Sequence, residues 1–111
     1  MEINQRENRS IPVIVIEGEI DLYNSKILKD IIDKLIRDGK YKIVVNLQNV
    51  PFIDSSGIGT IMTSMYKLRK YGGNLKVSNV FGSVAKIFKM TGLETSIEVY
   101  LEEDEAISSF L

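Results

Sequence analysis

Two runs of β-branched and aliphatic residues constrain this chain most: IPVIVIE at 11–17 and YKIVVNL at 41–47. A run as continuously apolar as the second reads as a strand covered on both faces, and so as a central strand of a sheet. The first run has the weak alternation of Met1 and Ile3 before it and Gly18 behind it, and reads as an N-terminal hairpin or a pair of strands. Between the two runs Ile27, Leu28, Ile31, Ile32, Leu35 and Ile36 recur at helical spacing, with Asn24 or Ser25 placed to cap and Gly39 to stop the helix.

The alternation continues to the end of the chain. Ile58, Ile61, Met62, Met65 and Leu68 mark a second helix that ends at Gly72 and Gly73, and NLKVSNV at 74–80 reads as a strand. Val84, Ile87 and Phe88 ahead of Gly92 mark a third helix, SIEVY at 96–100 a further strand, and EEDEAISSFL a last helix. With 111 residues there is material for one hydrophobic core and not for two, so residues 1–111 are read as one α/β layer domain. The acids Glu102, Glu103, Asp104 and Glu105 fall at the predicted start of the last helix, where negative charge is favoured by about 0.3–1 kcal/mol each. A helix start accounts for them without a metal or a partner.

Several function classes are closed by what is missing. The chain has no Cys and no His, which removes thiolate chemistry, the commonest metal ligands and the commonest general base. No metal and no cofactor is expected. Fourteen basic against fifteen acidic residues give a net charge of −1, so no overall pull toward nucleic acid or an anionic membrane is expected. The polar opening EINQRENRS lacks a signal pattern and no apolar run reaches the length of a membrane span, which points to a cytoplasmic protein.

The chemistry-bearing stretch is FIDSSGIGTIM at 52–62, an acid, two hydroxyls and two glycines between a strand-like and a helix-like run. A catalytic Ser55 or Ser56 would need a base, and the context is not the G-x-S-x-G of a nucleophile elbow; a Ser–Lys hydrolase stays as an alternative. Gly57 and Gly59 begin a G-x-G, but Met62 stands where a third glycine belongs and no Walker lysine follows. As a helix cap, one of Asp54, Ser55 and Ser56 suffices, which leaves at least one hydroxyl unemployed at a helix N-terminus. There an anion is well accommodated, so a modified serine competes with a plain cap.

FIDSSGIGTIM, together with EGEID at 17–21, YGGNLKV at 71–77 and VAKIFKMTGL at 84–93, resembles the anti-sigma factor antagonists, the anti-anti-sigma proteins of the STAS domain family, nearly end to end. The resemblance implies a mixed sheet of four or five strands with helices mainly on one side. It implies no enzymatic activity and a partner that is both an anti-sigma factor and a serine kinase, bound by a free monomer without nucleic acid or membrane insertion. The family's phosphorylation site follows the aspartate of D-S-S-G, which carries the role to Ser55, with Asp54, Ser56 and Gly57 matching around it and Ser56 in the cap position. Asp21 matches an acidic position at the partner surface, with an ordinary helix cap as the competing reading. Ile53 and Ile58 are each expected to touch the partner or enter the core, and the helical phase of Ile58 with Ile61 and Met62 favours the core. FGSV at 81–84 departs from the family, where many members carry a proline. The other STAS roles, an interaction subunit of a sensor assembly or of a lipid transporter, remain as alternatives.

Overall fold

The computed structural model describes residues 2–111, and in it five strands form one sheet in the order β1-β2-β3-β4-β5. β1 (Glu2–Asn8) and β2 (Ile11–Glu17) make an antiparallel hairpin. β3 (Lys42–Asn49), β4 (Asn74–Ser78) and β5 (Val99–Tyr100) add to β2 in parallel. Met1, part of the alternation expected of the first strand, lies outside the described residues; Ile3 is partly buried against the core. The hairpin turns at Arg9 and Ser10, both in the left-handed region at φ 50° and 69°, which matches the twist of a two-residue connection.

The period of two in the strands separates two cores. Ile14 and Ile16 of β2, Ile43, Val45 and Leu47 of β3, and Leu75 and Val77 of β4 share one face. That face is covered by α1 (Leu22–Arg37), α2 (Ser55–Lys70) and α3 (Gly82–Thr91), through residues such as Leu28, Ile32, Ile61, Met65 and Phe88. Side chains of opposite parity, Ile11, Val13 and Val44, meet Ala106 and Ile107 of α4 (Glu103–Ser108) on the other face. Three helices on one face and one short helix on the other is the expected mixed α/β layer. It also explains why YKIVVNL is apolar in both parities.

Helix ends follow the glycines. Gly39 at φ 79° donates to the Ile36 carbonyl at 3.0 Å while Lys40 N–H reaches Leu35 at 2.9 Å, a Schellman close that L-residues with a Cβ adopt only under strain. β5 is shorter than the expected SIEVY: a 3-10 turn at Leu93–Thr95 draws the Ser96 and Ile97 N–H groups back onto the Leu93 carbonyl, leaving Val99–Tyr100 to pair with β4. Among the described residues no helix is long and apolar enough to cross a membrane. Because β2, β3, β4 and β5 run the same way, the segments leaving their C-terminal ends all emerge at one end of the sheet, and these build the site.

Candidate functional site

The segments that leave β2 and β3 are zipped together before their helices begin. Gly18 N–H donates to the Asn49 carbonyl, Ile20 N–H to Phe52, and Asp54 N–H to Ile20, each at 3.0 Å, around a parallel bridge between Ile20 and Ile53. This brings Asp21, at the start of α1, beside Asp54 and Ser55, at the start of α2. Both aspartates are N-caps: the Asp21 side chain accepts from Asn24 N–H at 2.9 Å, and Asp54 Oδ1 accepts from Ser56 N–H at 2.9 Å and Gly57 N–H at 3.1 Å.

These bonds correct two expectations. Asn24 and Ser25 do not cap α1; both lie within its first turn, where Asn24 Nδ2 donates to the Glu19 carbonyl and Ser25 Oγ to the Leu22 carbonyl. Ser56 is not the cap of α2 either. Its hydroxyl donates to Asp54 Oδ1, and this bond, followed by the Gly57 N–H, holds the Asp54 carboxyl below the usual carboxylate range and keeps it charged. The first helical residue, Ser55, is exposed, and its hydroxyl has no hydrogen-bond partner among the described residues. One of the two hydroxyls is therefore built into the cap and the other is free.

Packing beneath the loop explains a glycine and withdraws an isoleucine. A Cβ on Gly57 would stand 2.7 Å from Ile20 Cγ2 and 2.7 Å from Ile53 Cγ1, so the start of α2 rests directly on these two side chains. Ile53, read as a possible partner contact, is buried at 1% exposure and belongs to the core beneath the loop rather than to its surface. Gly57 is buried as well, so what it offers at the surface is the close seating of Ser55 and Ser56. Ile58 packs partly buried against the core, as its helical phase requires. Nothing lies within 4 Å of a Cβ on Gly59, and that glycine is not needed for packing.

The STAS domain family model matches residues 2–106. The chain belongs to the STAS domain family. Over 107 residues it is 25% identical to the anti-sigma-B factor antagonist of Bacillus subtilis, covering 96% of this chain and 97% of that one. To the anti-sigma F factor antagonist of Paenibacillus polymyxa it is 28% identical over 109 residues, with 97% and 93% covered. The structure of an anti-sigma factor antagonist from Mycobacterium paratuberculosis superposes with a TM-score of 0.88 at 23% identity, covering 98% of this chain and 92% of that one. The Bacillus cell fate determinant SpoIIAA in its phosphorylated form superposes with a TM-score of 0.75 at 26% identity, over 97% and 98%.

In this STAS domain the acids at 102–105 do what a helix start needs, with one addition. Glu102 N–H donates to the Glu105 carboxylate at 3.0 Å, closing the first turn of α4. Glu103 instead turns to the sheet and takes Arg6 and Asn8 of β1 and Asn46 of β3, so that the Arg6 guanidinium and the two amides hold its carboxyl down to about 2. Ninety-seven residues separate Glu103 from Arg6, and no local pattern announces the pair. Among the described residues no group of three His, Cys, Asp or Glu could hold a metal ion.

Proposed function

We propose that this STAS domain is an anti-sigma factor antagonist switched at Ser55, working in the bacterial cytoplasm as a monomer when free. In this reading the unphosphorylated chain binds an anti-sigma factor that is also a serine kinase, and so frees a sigma factor. The chain itself catalyses nothing; the kinase transfers the γ-phosphoryl group of ATP to the Ser55 hydroxyl. The observation that carries the reading is the free, exposed Ser55 hydroxyl on the first residue of α2, beside an aspartate that already satisfies the cap. The antagonist names of the relatives from Bacillus subtilis and Paenibacillus polymyxa support it.

Phosphorylation adds about −1.5 to −2 charge. The α2 N-terminus favours that charge in the free protein, while Asp21 and Asp54 beside it offer no cation to a phosphate enclosed by a partner. Burying an uncompensated charge in an interface costs on the order of 2–5 kcal/mol, enough to lower affinity by roughly thirtyfold to several thousandfold. Incubation with the cognate kinase and ATP should place one phosphate on Ser55 and none on Ser56, read by mass spectrometry of the phosphopeptide. Calorimetric titration of the anti-sigma factor should then find Ser55→Ala binding near the wild-type level and Ser55→Asp binding nearly lost. Equal affinity of the two variants would sink the proposal.

A further inference from the structure

α3 starts against local preference. Its N-cap is Phe81, no side chain caps its first turn, and its first residue, Gly82, sits at φ 55°. Ser, Thr, Asp or Asn stabilises a helix at this position, and both α1 and α2 have an aspartate there. The Phe81 ring is not kept for the core, since half of it is exposed. A local rule broken without a packing gain marks a place to look for function.

Phe81 stands at the same end of the sheet as Ser55, because α1, α2 and α3 each follow a strand of the parallel set. Every one of these three starts carries an exposed large apolar side chain: Leu22 and Tyr23 at α1, Phe52 just before α2, and Phe81 at α3. The three starts follow the adjacent strands β2, β3 and β4, with Ser55 on the middle one. The segments around these starts are mainly acidic, although Arg6 reaches in to Glu103 from the first strand. Residues 17–25, 48–58, 79–85 and 101–105 together hold eight Asp or Glu and no Lys or Arg, although the whole chain is nearly neutral. Of the eight, Glu103 is already paired with Arg6.

We propose that Phe81 anchors the partner interface: Leu22, Tyr23, Phe52 and Phe81 form one apolar row across the switch, received by a partner surface that is apolar at its centre and rimmed by Lys or Arg. This rests on the reading of Ser55 as a partner-controlled switch and states the chemistry of the face that reads it. Aromatic side chains are prominent among those that carry binding energy, which fits a phenylalanine held at the cost of a helix cap. A second copy of this chain is a poor occupant, because it would set carboxylates against carboxylates. A basic rim attracts the phosphate at long range. The switch must therefore act by placing a dianion within the dehydrated apolar row, not by repelling the partner from a distance.

The test is calorimetric titration of the full chain with the purified anti-sigma factor that binds it, using wild type, Phe81→Ser, Met90→Ser and Ser55→Asp. Met90 on α3 is 84% exposed and outside the row, and serves as the surface control. Phe81→Ser should weaken binding about tenfold or more while Met90→Ser changes it less than about twofold. Since Ser caps better than Phe, the melting temperature of Phe81→Ser should hold or rise, so stability and binding move apart. Raising salt to about 0.5 M should weaken wild-type binding several-fold. If Phe81→Ser binds as wild type while Ser55→Asp does not, the anchor is wrong and the switch stands. A lowered melting temperature for Phe81→Ser, or binding indifferent to salt, would also overturn the inference. If Ser55→Asp binds as tightly as wild type, the switch reading fails and this inference with it.

Discussion

Replacing Glu103 with Gln removes one charge and almost no volume, at a position that ties α4 to the edge of the sheet. The carboxylate accepts from Arg6 Nη1 at 2.7 Å, from Asn8 Nδ2 at 2.8 Å and from Asn46 Nδ2 at 3.0 Å, with the second Arg6 nitrogen on its other oxygen. Its pKa falls from the ordinary 4.5 to about 2, with Arg6 the largest cause and burial working against it. That gap corresponds to roughly 3 kcal/mol of stabilisation. The Glu103 side chain is only 13% exposed but that of Arg6 is 49% exposed, so solvent screening reduces the figure to about 2 kcal/mol. Because the folded pKa lies below the unfolded one, this stabilisation is complete well above pH 4.5 and is lost as pH falls from there toward 2. Urea unfolding should find Glu103→Gln about 2 kcal/mol less stable than wild type at pH 7, and by less than half of that at about pH 3. In a thermal scan at pH 7 the loss corresponds to about 8 °C. A penalty equal at both pH values would refute the charge-based account, and no penalty at pH 7 would show that the pair contributes nothing.

Ser55→Asp, whose added charge meets the α2 N-terminus, should change stability by no more than about 1 kcal/mol, and a large fall in melting temperature would show the hydroxyl to be enclosed. Asp21→Ala should cost about 1 kcal/mol of stability through its cap to Asn24 N–H, besides any loss of partner affinity; chemical denaturation of the free protein separates the two. Gly73→Ala should cost about 1–3 kcal/mol, since its Cβ would stand 1.8 Å from the Tyr41 carbonyl oxygen, whereas Gly59→Ala, with nothing within 4 Å, should gain about 0.5–1 kcal/mol. Melting curves of the two glycine variants side by side test whether those contacts govern stability.

The elements of this STAS domain are legible in its residues because each is set by a short-range period. Two residues in IPVIVIE and three to four in the Ile27–Ile36 set report which face is buried, and Gly39 and Gly72 report where helices close. The free hydroxyl of the D-S-S-G stretch was legible for the same reason: a helix has few N-terminal donors, and one capping carboxylate with its neighbour uses them within four residues. Which residue caps was not, because Asp21, Asn24 and Ser25 are all competent; the zipper of residues 18–20 with 49–54 sets where each helix begins. The same zipper buries Ile53 and sets Asp21 beside Ser55, contacts between segments some thirty residues apart that no local period encodes. Glu103 makes the point most sharply. Its neighbours read as an ordinary acidic helix start, and only the sheet, by laying β1 against β2 and β2 against β3, brings Arg6, Asn8 and Asn46 to one carboxylate.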